Sequence, residues 1–178
     1  MEEIKIFGEK VYIRVITDED TGLIVKWRNQ ENIRKYFFFR EKFTEDIHRN
    51  WMETKVNTGK VVQFIVCLID GNIPIGSTYL RDINKDSKTA EYGVFIGEES
   101  ARGKGIGKEI LKLTLEYAWE KLGLEKIYAR AISTNEASVN SFLKSGFKQE
   151  EVVRNVSCSD GKKVDMVFLS ICKENYQH

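Results

Sequence analysis

In Arg102-Gly103-Lys104-Gly105-Ile106-Gly107, every second residue is glycine, between a strand-like run at 91–96 and a helix-like run at 106–122. Glycines let a backbone approach a ligand closely, and the free N–H groups at a helix N-terminus sit at the positive end of its dipole. Arg102 and Lys104 add charge where a phosphate group would lie. The chemistry to which this spacing points is therefore the cradling of a phosphate or pyrophosphate, although the same turn also serves as a tight strand-to-helix connection. Two familiar phosphate signatures are absent: there is no Gly-x-x-x-x-Gly-Lys-Ser/Thr, and no Gly-x-Gly-x-x-Gly followed by a ribose-binding acid. The pattern is Arg-x-x-Gly-x-Gly.

The flanking elements must position this turn. A strand at 10–15 alternates in polarity, and Thr17-Asp18-Glu19-Asp20 reads as a helix start with acids in the first turn, leading to a short helix that ends near Trp27. An aromatic-rich connection carries Trp27-Arg28-Asn29 and Tyr36-Phe37-Phe38-Phe39 before Thr44 caps a helix at 45–56. About two of those four aromatics are expected inside the core. His48 is expected on the surface of its helix. Strands at 61–69 and 73–83 flank Asp70-Gly71-Asn72, and a further strand covers 89–96. After the glycine turn come an amphipathic helix stopped near Gly123, a fifth strand at 126–132 and a short helix at 137–145. Strands at 147–156 and 164–172 close the chain around Ser159-Asp160-Gly161.

Composition narrows the function classes. The 178 residues, 42% hydrophobic, suffice for one core, so one domain over 1–178 is expected. Its 28 Lys and Arg against 27 Asp and Glu, interspersed, argue against nucleic acid as the main partner. No basic leader opens the sequence and no apolar run nears the ~20 residues of a membrane span, so a soluble cytoplasmic protein without a membrane partner is expected. Three scattered cysteines and two histidines support neither a disulfide framework nor a metal site.

Arg-x-x-Gly-x-Gly after Ala90-Glu91-Tyr92-Gly93-Val94-Phe95-Ile96 resembles the acetyl-CoA signature of the GNAT N-acetyltransferases. Asn135-Glu136-Ala137-Ser138-Val139-Asn140-Ser141-Phe142-Leu143-Lys144-Ser145-Gly146-Phe147 is similar to the segment that follows that family's fifth strand. The order of elements also matches. The resemblance implies the acyl-CoA N-acyltransferase fold, an α/β architecture whose mixed, mostly antiparallel central sheet is splayed at its fourth and fifth strands and flanked by helices. It implies acetyl-CoA as acetyl donor, with no metal. Backbone groups of Val94, Phe95 and Ile96 would then hold the pantetheine arm as an added strand, and Gly93 would let the strand bend or bulge there. Arg102, Gly103, Lys104, Gly105, Ile106, Gly107 and Lys108 would hold the pyrophosphate, and Asn135, Ser138, Asn140 and Phe142 would contact the pantetheine or nucleotide side.

An attacking amine with a pKa near ~10.4 must lose a proton first, and Glu91 occupies the position of the base that many family members use. Many relatives carry a tyrosine at the position of Phe142, where its hydroxyl protonates the departing thiolate. Here Ser138, Ser141, Tyr128 or water is left to do so.

Trp27-Arg28-Asn29, Ile33-Arg34-Lys35-Tyr36 and the closing Arg154-Asn155…Asp160-Gly161-Lys162…Asp165 resemble two branches: the RimJ/RimL type, which acetylates protein N-termini, and the amino-sugar-nucleotide acetyltransferases of the pseudaminic acid pathway. Glu45-Asp46-Ile47-His48 resembles the helix start of the second. The expected acceptor is a primary amine of a small molecule, an amino sugar, amino-sugar nucleotide or polyamine, with a peptide N-terminus as the alternative and a non-catalytic acyl-CoA-binding module as the third reading. Arg28, Tyr36 and Phe38 are the expected acceptor contacts: aromatic faces pack on sugar rings, and an arginine fork suits a phosphate or carboxylate. Monomer and homodimer both stay open.

Overall fold

The layering follows from alternation in β3 (Val62–Leu68), where Phe64 and Val66 face one side and Ile65 and Cys67 the other, all fully buried. A strand buried on both faces needs a helical layer on each. On the first face lies α4 (Ile106–Glu120), whose Ile106, Ile110 and Leu113 meet Phe64 and Val66. Its Leu111, Leu115 and Trp119 pack on Leu80, Ile127 and Leu169. The second face carries α1 (Thr21–Arg28), α2 (Glu31–Arg34) and α3 (Glu45–Trp51), which with Met52 just past α3 bury Ile24, Trp27 and Ile33 against Ile65, Cys67 and Phe95.

The computed structural model describes residues 4–177; Met1–Glu3, part of the start segment read above for a leader, lie outside the described residues. Besides β3, the sheet contains β1 (Lys5–Phe7), β2 (Val11–Val15), β4 (Pro74–Asn84), β5 (Thr89–Ile96), β6 (Lys126–Ile132), β7 (Lys148–Ser157) and β8 (Lys163–Cys172). The eight strands run in the order β1-β2-β3-β4-β5-β6-β8-β7. Every pairing is antiparallel except β5 with β6. That parallel pair extends only from Thr89↔Lys126 to Tyr92↔Ala129. Past this point β5 keeps β4 as a neighbour while β6 follows β8, so the sheet splits as the sequence resemblance implies. A helix α5 (Glu136–Lys144) follows β6 and buries Phe142 on the α4 face.

Several expectations need correction. The strands counted fourth and fifth are β5 and β6, because three residues at Lys5–Phe7 add an edge strand too short to show a period. The helix expected over 45–56 is α at Glu45–Trp51 and continues as a π turn at Met52–Val56. Gly93 does not bulge: Tyr79↔Gly93 sits in regular register, and a Cβ there would lie 2.2 Å from the Tyr79 ring, so glycine makes room for that ring. The irregularity falls instead between Arg81 and Asn84 on β4, where Asp82 adopts φ 51°. None of Tyr36–Phe39 is fully buried, since all four border a cleft; Phe37 and Phe39 pack on the edge of the core.

Ahead of α1, Asp20 fixes the entry angle. Its carboxylate accepts two hydrogen bonds from Arg14 of β2, at 2.7 and 2.8 Å, and one from the Thr17 N–H. Burial pushes the Asp20 carboxyl up, but Arg14 and Thr17 together hold it below its ordinary 3.8. A carboxylate with a depressed folded-state pKa stabilises the fold above the unfolded value and loses that contribution as pH falls through the folded one. Asp20→Asn should therefore cost about 2 kcal/mol at pH 7. Denaturant titrations should show the gap from the unsubstituted protein narrowing below pH ~4, and a gap independent of pH would remove the ion pair from the account.

Candidate active site

Where β5 leaves β6, the backbone past Tyr92 has β4 on one side and no strand on the other, so alternate N–H and C=O groups of residues 93–96 face a gap. The gap belongs to a cleft of about 920 Å³, bordered by Val94, Phe95 and Ile96 on one side and by Asn135, Ser138 and Phe142 of the α5 region on the other. Backbone groups left over from a split sheet suit an extended polar chain lying along the strand.

At the Ile96 end lies the glycine turn. Gly103 and Gly105 both take left-handed φ, 71° and 72°, a region costly for any residue with a Cβ. Gly105 stands at the N-cap of the 15-residue α4, and no side chain caps the helix there. The N–H groups of Ile106, Gly107 and Lys108 are thus presented at the positive end of the dipole, with Gly107 bordering the cleft. The Ile106 side chain is core, so its backbone alone faces a ligand. Arg102 borders the cleft too, but its guanidinium donates from Nε and Nη2 to the Ile96 carbonyl, at 3.1 and 2.9 Å. It therefore ties the turn to the end of β5. Gly103, Lys104 and Lys108 are exposed around the turn, as is Asn140 on α5, which lies outside the cleft lining. Asn135 accepts from the Ser138 N–H and caps α5. These features fit a pyrophosphate joined to a narrow polar arm.

Farther along β5, Glu91 borders the same cleft, and its Oε1 accepts from Arg81 Nη2 on β4 and from Arg130 Nε on β6, the latter at 2.8 Å. Glu91 thereby stitches the two parting strands one residue before their last pair, Tyr92↔Ala129. Phe142 is buried, edge-on to Tyr92 with ring centroids 5.9 Å apart and tilted against Phe147. Of Ser138, Ser141 and Tyr128, only Ser138 borders this cleft.

The helical wall is built by Trp27-Arg28-Asn29, whose members divide the work. Trp27 is fully buried and donates from Nε1 to Glu98 at 2.7 Å, and its indole occupies the space that a Cβ on Gly97 would need. Asn29 donates to the Phe43 carbonyl and accepts from the Phe43 N–H, both at 2.8 Å, closing a loop of 14 residues. Arg28, between them, lies 3.6 Å over the Phe37 ring and 4.5 Å from the centre of Phe43. Its Nε is buried without a hydrogen-bond partner among the described residues. Burial draws the guanidinium down to about 10, with Tyr79 opposing and Arg81 adding to the shift, so it remains charged at neutral pH.

His48, expected on the surface, is 1% exposed. Its Nδ1 meets Thr21 Oγ1 at 3.0 Å, its Nε2 is without a partner among the described residues, and burial pulls the imidazole below its ordinary 6.5. Contact with Thr21, 27 residues earlier, decides this, and no local pattern announces it. Tyr36 and Phe38 do border the cleft with Arg28. The fastening of that loop was also beyond sequence reasoning: Ser159 N–H donates to the Phe38 carbonyl, Arg40 N–H donates to Ser159 Oγ, and Arg40 faces Asp160 at 3.7 Å. The β7–β8 turn thus straps down the aromatic loop.

The family model of the acetyltransferase (GNAT) domain matches residues 10–148. The uncharacterized protein MJ1062 of Methanocaldococcus jannaschii is 33% identical over 150 residues, which cover 82% of this chain; the chain spans about 30% of that protein's length. A putative ribosomal N-acetyltransferase of Bacillus subtilis, YdaF, is 25% identical with 96% of this chain and 95% of its own covered. Among solved structures, the Vibrio cholerae spermidine N-acetyltransferase in complex with CoA and spermine superposes with a TM-score of 0.87 at 22% identity, covering 95% of this chain and 99% of that one.

The glycine turn can be tested directly. Gly105→Ala forces a Cβ into the left-handed region at about 1–2 kcal/mol. That corresponds to roughly tenfold weaker CoA binding if the turn must hold its shape to bind. Calorimetry reads the result, and an unchanged Kd would remove the turn from the binding site.

Proposed function

The chain belongs to the GNAT acetyltransferase family, and from that premise we propose that it transfers the acetyl group of acetyl-CoA to a primary amine of a small molecule by direct attack within one ternary complex. The observation that carries the reading is the parting of β5 from β6 beside Glu91, with an uncapped helix N-terminus at one end of the resulting cleft and a strapped aromatic loop at the other. Residues 93–96 and the α4 N-terminus hold the donor by its polar arm and pyrophosphate. The acceptor enters against Arg28, Tyr36 and Phe38.

Glu91 serves as the base. A free amine of pKa near ~10.4 is almost wholly protonated at neutral pH, and Glu91 Oε1, held by Arg81 and Arg130, leaves Oε2 to receive that proton directly or through water. The freed lone pair forms the amide bond as the carbon–sulfur bond breaks, and the leaving thiolate takes a proton. Phe142 has none to give. A thiolate is a stable leaving group, with thiol pKa values near ~8.5, so water or the Ser138 hydroxyl suffices.

The small-acceptor reading is supported by the aromatic loop bordering the cleft, whose conformation is held by the Phe38–Ser159 and Arg40–Asp160 contacts. The protein N-terminal reading has one support, the full-length likeness to the putative ribosomal N-acetyltransferase.

Release of CoA thiol should appear with amino sugars, amino-sugar nucleotides or polyamines and be at least tenfold slower with N-terminal peptides; the reverse order would favour the peptide reading. Glu91→Gln should lower turnover by about 10²–10⁴ while leaving CoA binding unchanged. Because Glu91 also joins two arginines, thermal stability must be followed in parallel. Turnover that falls only with the folded fraction would reduce Glu91 to an ion-pair role.

A further inference from the structure

We propose that Tyr79 gives the proton that Phe142 cannot, its phenol protonating the CoA thiolate as it departs. This rests on the transferase reading above and goes beyond it by naming the residue behind the last proton transfer. Tyr79 of β4 stands opposite Gly93 of β5, and Arg81 opposite Glu91, so these four positions share one face of the sheet, and all four border the cleft. The Tyr79 ring reaches across to β5, and its tip, Cζ with the hydroxyl, lies over the Gly93 backbone where a Cβ would otherwise stand. Any side chain at 93 would expel the hydroxyl from that place.

The course of the donor decides what the hydroxyl meets. With its pyrophosphate at the N-terminus of α4, beyond the Ile96 end of β5, and its arm following the unpaired backbone from 96 back to 93, the thioester arrives at Gly93, under the phenol and beside Glu91. The other hydroxyls of the cleft are committed or stand elsewhere. Thr54 donates to the Asn50 carbonyl, and Tyr92 is buried in the core on the α4 face. Tyr36 belongs to the aromatic loop at the acceptor end, and Ser138 to the opposite wall on α5. The Tyr79 hydroxyl makes no hydrogen bond to the described residues, so its proton is available to a ligand. Arg81, whose guanidinium carbon lies 5.9 Å from the ring centre, and Arg28 act electrostatically on the phenol and offset the charge left on its oxygen.

The step balances. The amine's proton goes to Glu91 and its lone pair forms the carbon–nitrogen bond; the carbon–sulfur bond breaks with its electron pair on sulfur, and the Tyr79 O–H proton moves to that sulfur. CoA leaves as a thiol, and the proton held by Glu91 returns to the phenolate through water.

Tyr79→Phe keeps the ring over Gly93 and removes only the hydroxyl. Single-turnover release of CoA thiol from acetyl-CoA reads the chemical step, with glucosamine, UDP-glucosamine, spermidine and a short peptide with a free N-terminus as acceptors. The substitution should slow that step about tenfold or more and shrink its solvent deuterium isotope effect, while the acceptor KM, the CoA Kd from calorimetry and the thermal midpoint stay as they are. Ser138→Ala should leave the rate within about twofold. An unchanged rate in Tyr79→Phe overturns the proposal, as does a loss confined to the acceptor KM, which would make the hydroxyl an acceptor contact. A slower step with an unaltered isotope effect overturns it too, leaving the hydroxyl a hydrogen bond that orients the thioester. A loss found in Ser138→Ala alone hands the proton to Ser138. Absence of thiol release from the unsubstituted protein with every acceptor would sink the transferase reading and this assignment with it, whereas release that survives Tyr79→Phe removes the assignment only.

Discussion

Four residue pairs hold β5 to β6, and the molecule's chemistry depends on the pairing stopping there. The cause lies in side chains that pull the two strands apart. On β5, Phe95 turns toward Trp27 and Phe37, with ring centroids 6.3 and 5.7 Å away, anchoring the strand to α1 and to the aromatic loop. The Tyr79 ring fills the place of a side chain on Gly93, keeping β5 close to β4. On the other side, β6 runs in unbroken register with β8 from Lys126↔Cys172 to Ile132↔Met166. Each strand is thus better satisfied by its outer neighbour than by its inner one. The exposed backbone groups between them are costly unless water or a ligand pairs with them.

The split needs a stitch at its apex, and Glu91 with Arg81 and Arg130 supplies it, linking β4, β5 and β6 through one carboxylate oxygen. An ion pair at a partly covered site has a modest stabilising effect, since desolvation offsets much of the Coulomb attraction. Its larger effect is geometric, because two guanidiniums leave the carboxylate little rotational freedom. Preorganisation of that kind is what a group transferring a proton requires, since its catalytic value depends on lying within hydrogen-bond reach of the reacting atom.

What was legible in the sequence is what is locally encoded. The glycine turn could be read because only glycine takes a left-handed φ without strain, and its place between a strand and a helix is a matter of neighbouring residues. The long α4 could be read from its period, and β3 as an apolar run ending at a turn-forming Asp70-Gly71-Asn72. Three things could not. β1 is three residues long, shorter than any period. His48 looks like a surface residue until Thr21 closes over it, and the strap on the aromatic loop joins Arg40 to a turn 119 residues away. Each depends on a long-range contact that no window of sequence contains.

Trp27-Arg28-Asn29 shows how a local pattern can be visible while its meaning is not. In sequence Arg28 stands out from its two neighbours only by the donor fork of its side chain. The fold distinguishes them by giving Trp27 and Asn29 all their polar partners within the protein and giving Arg28 aromatic faces only. An aromatic face steadies a guanidinium without occupying its N–H donors. The arginine therefore borders the cleft with its plane fixed. A scaffold shared across a family fixes where the donor lies and where the proton goes, whereas residues on such irregular connections set what is accepted. The acceptor wall here is made of such residues, held in place by its two structural flanks, so the substrate is to be read from Arg28 and its surroundings rather than from the fold.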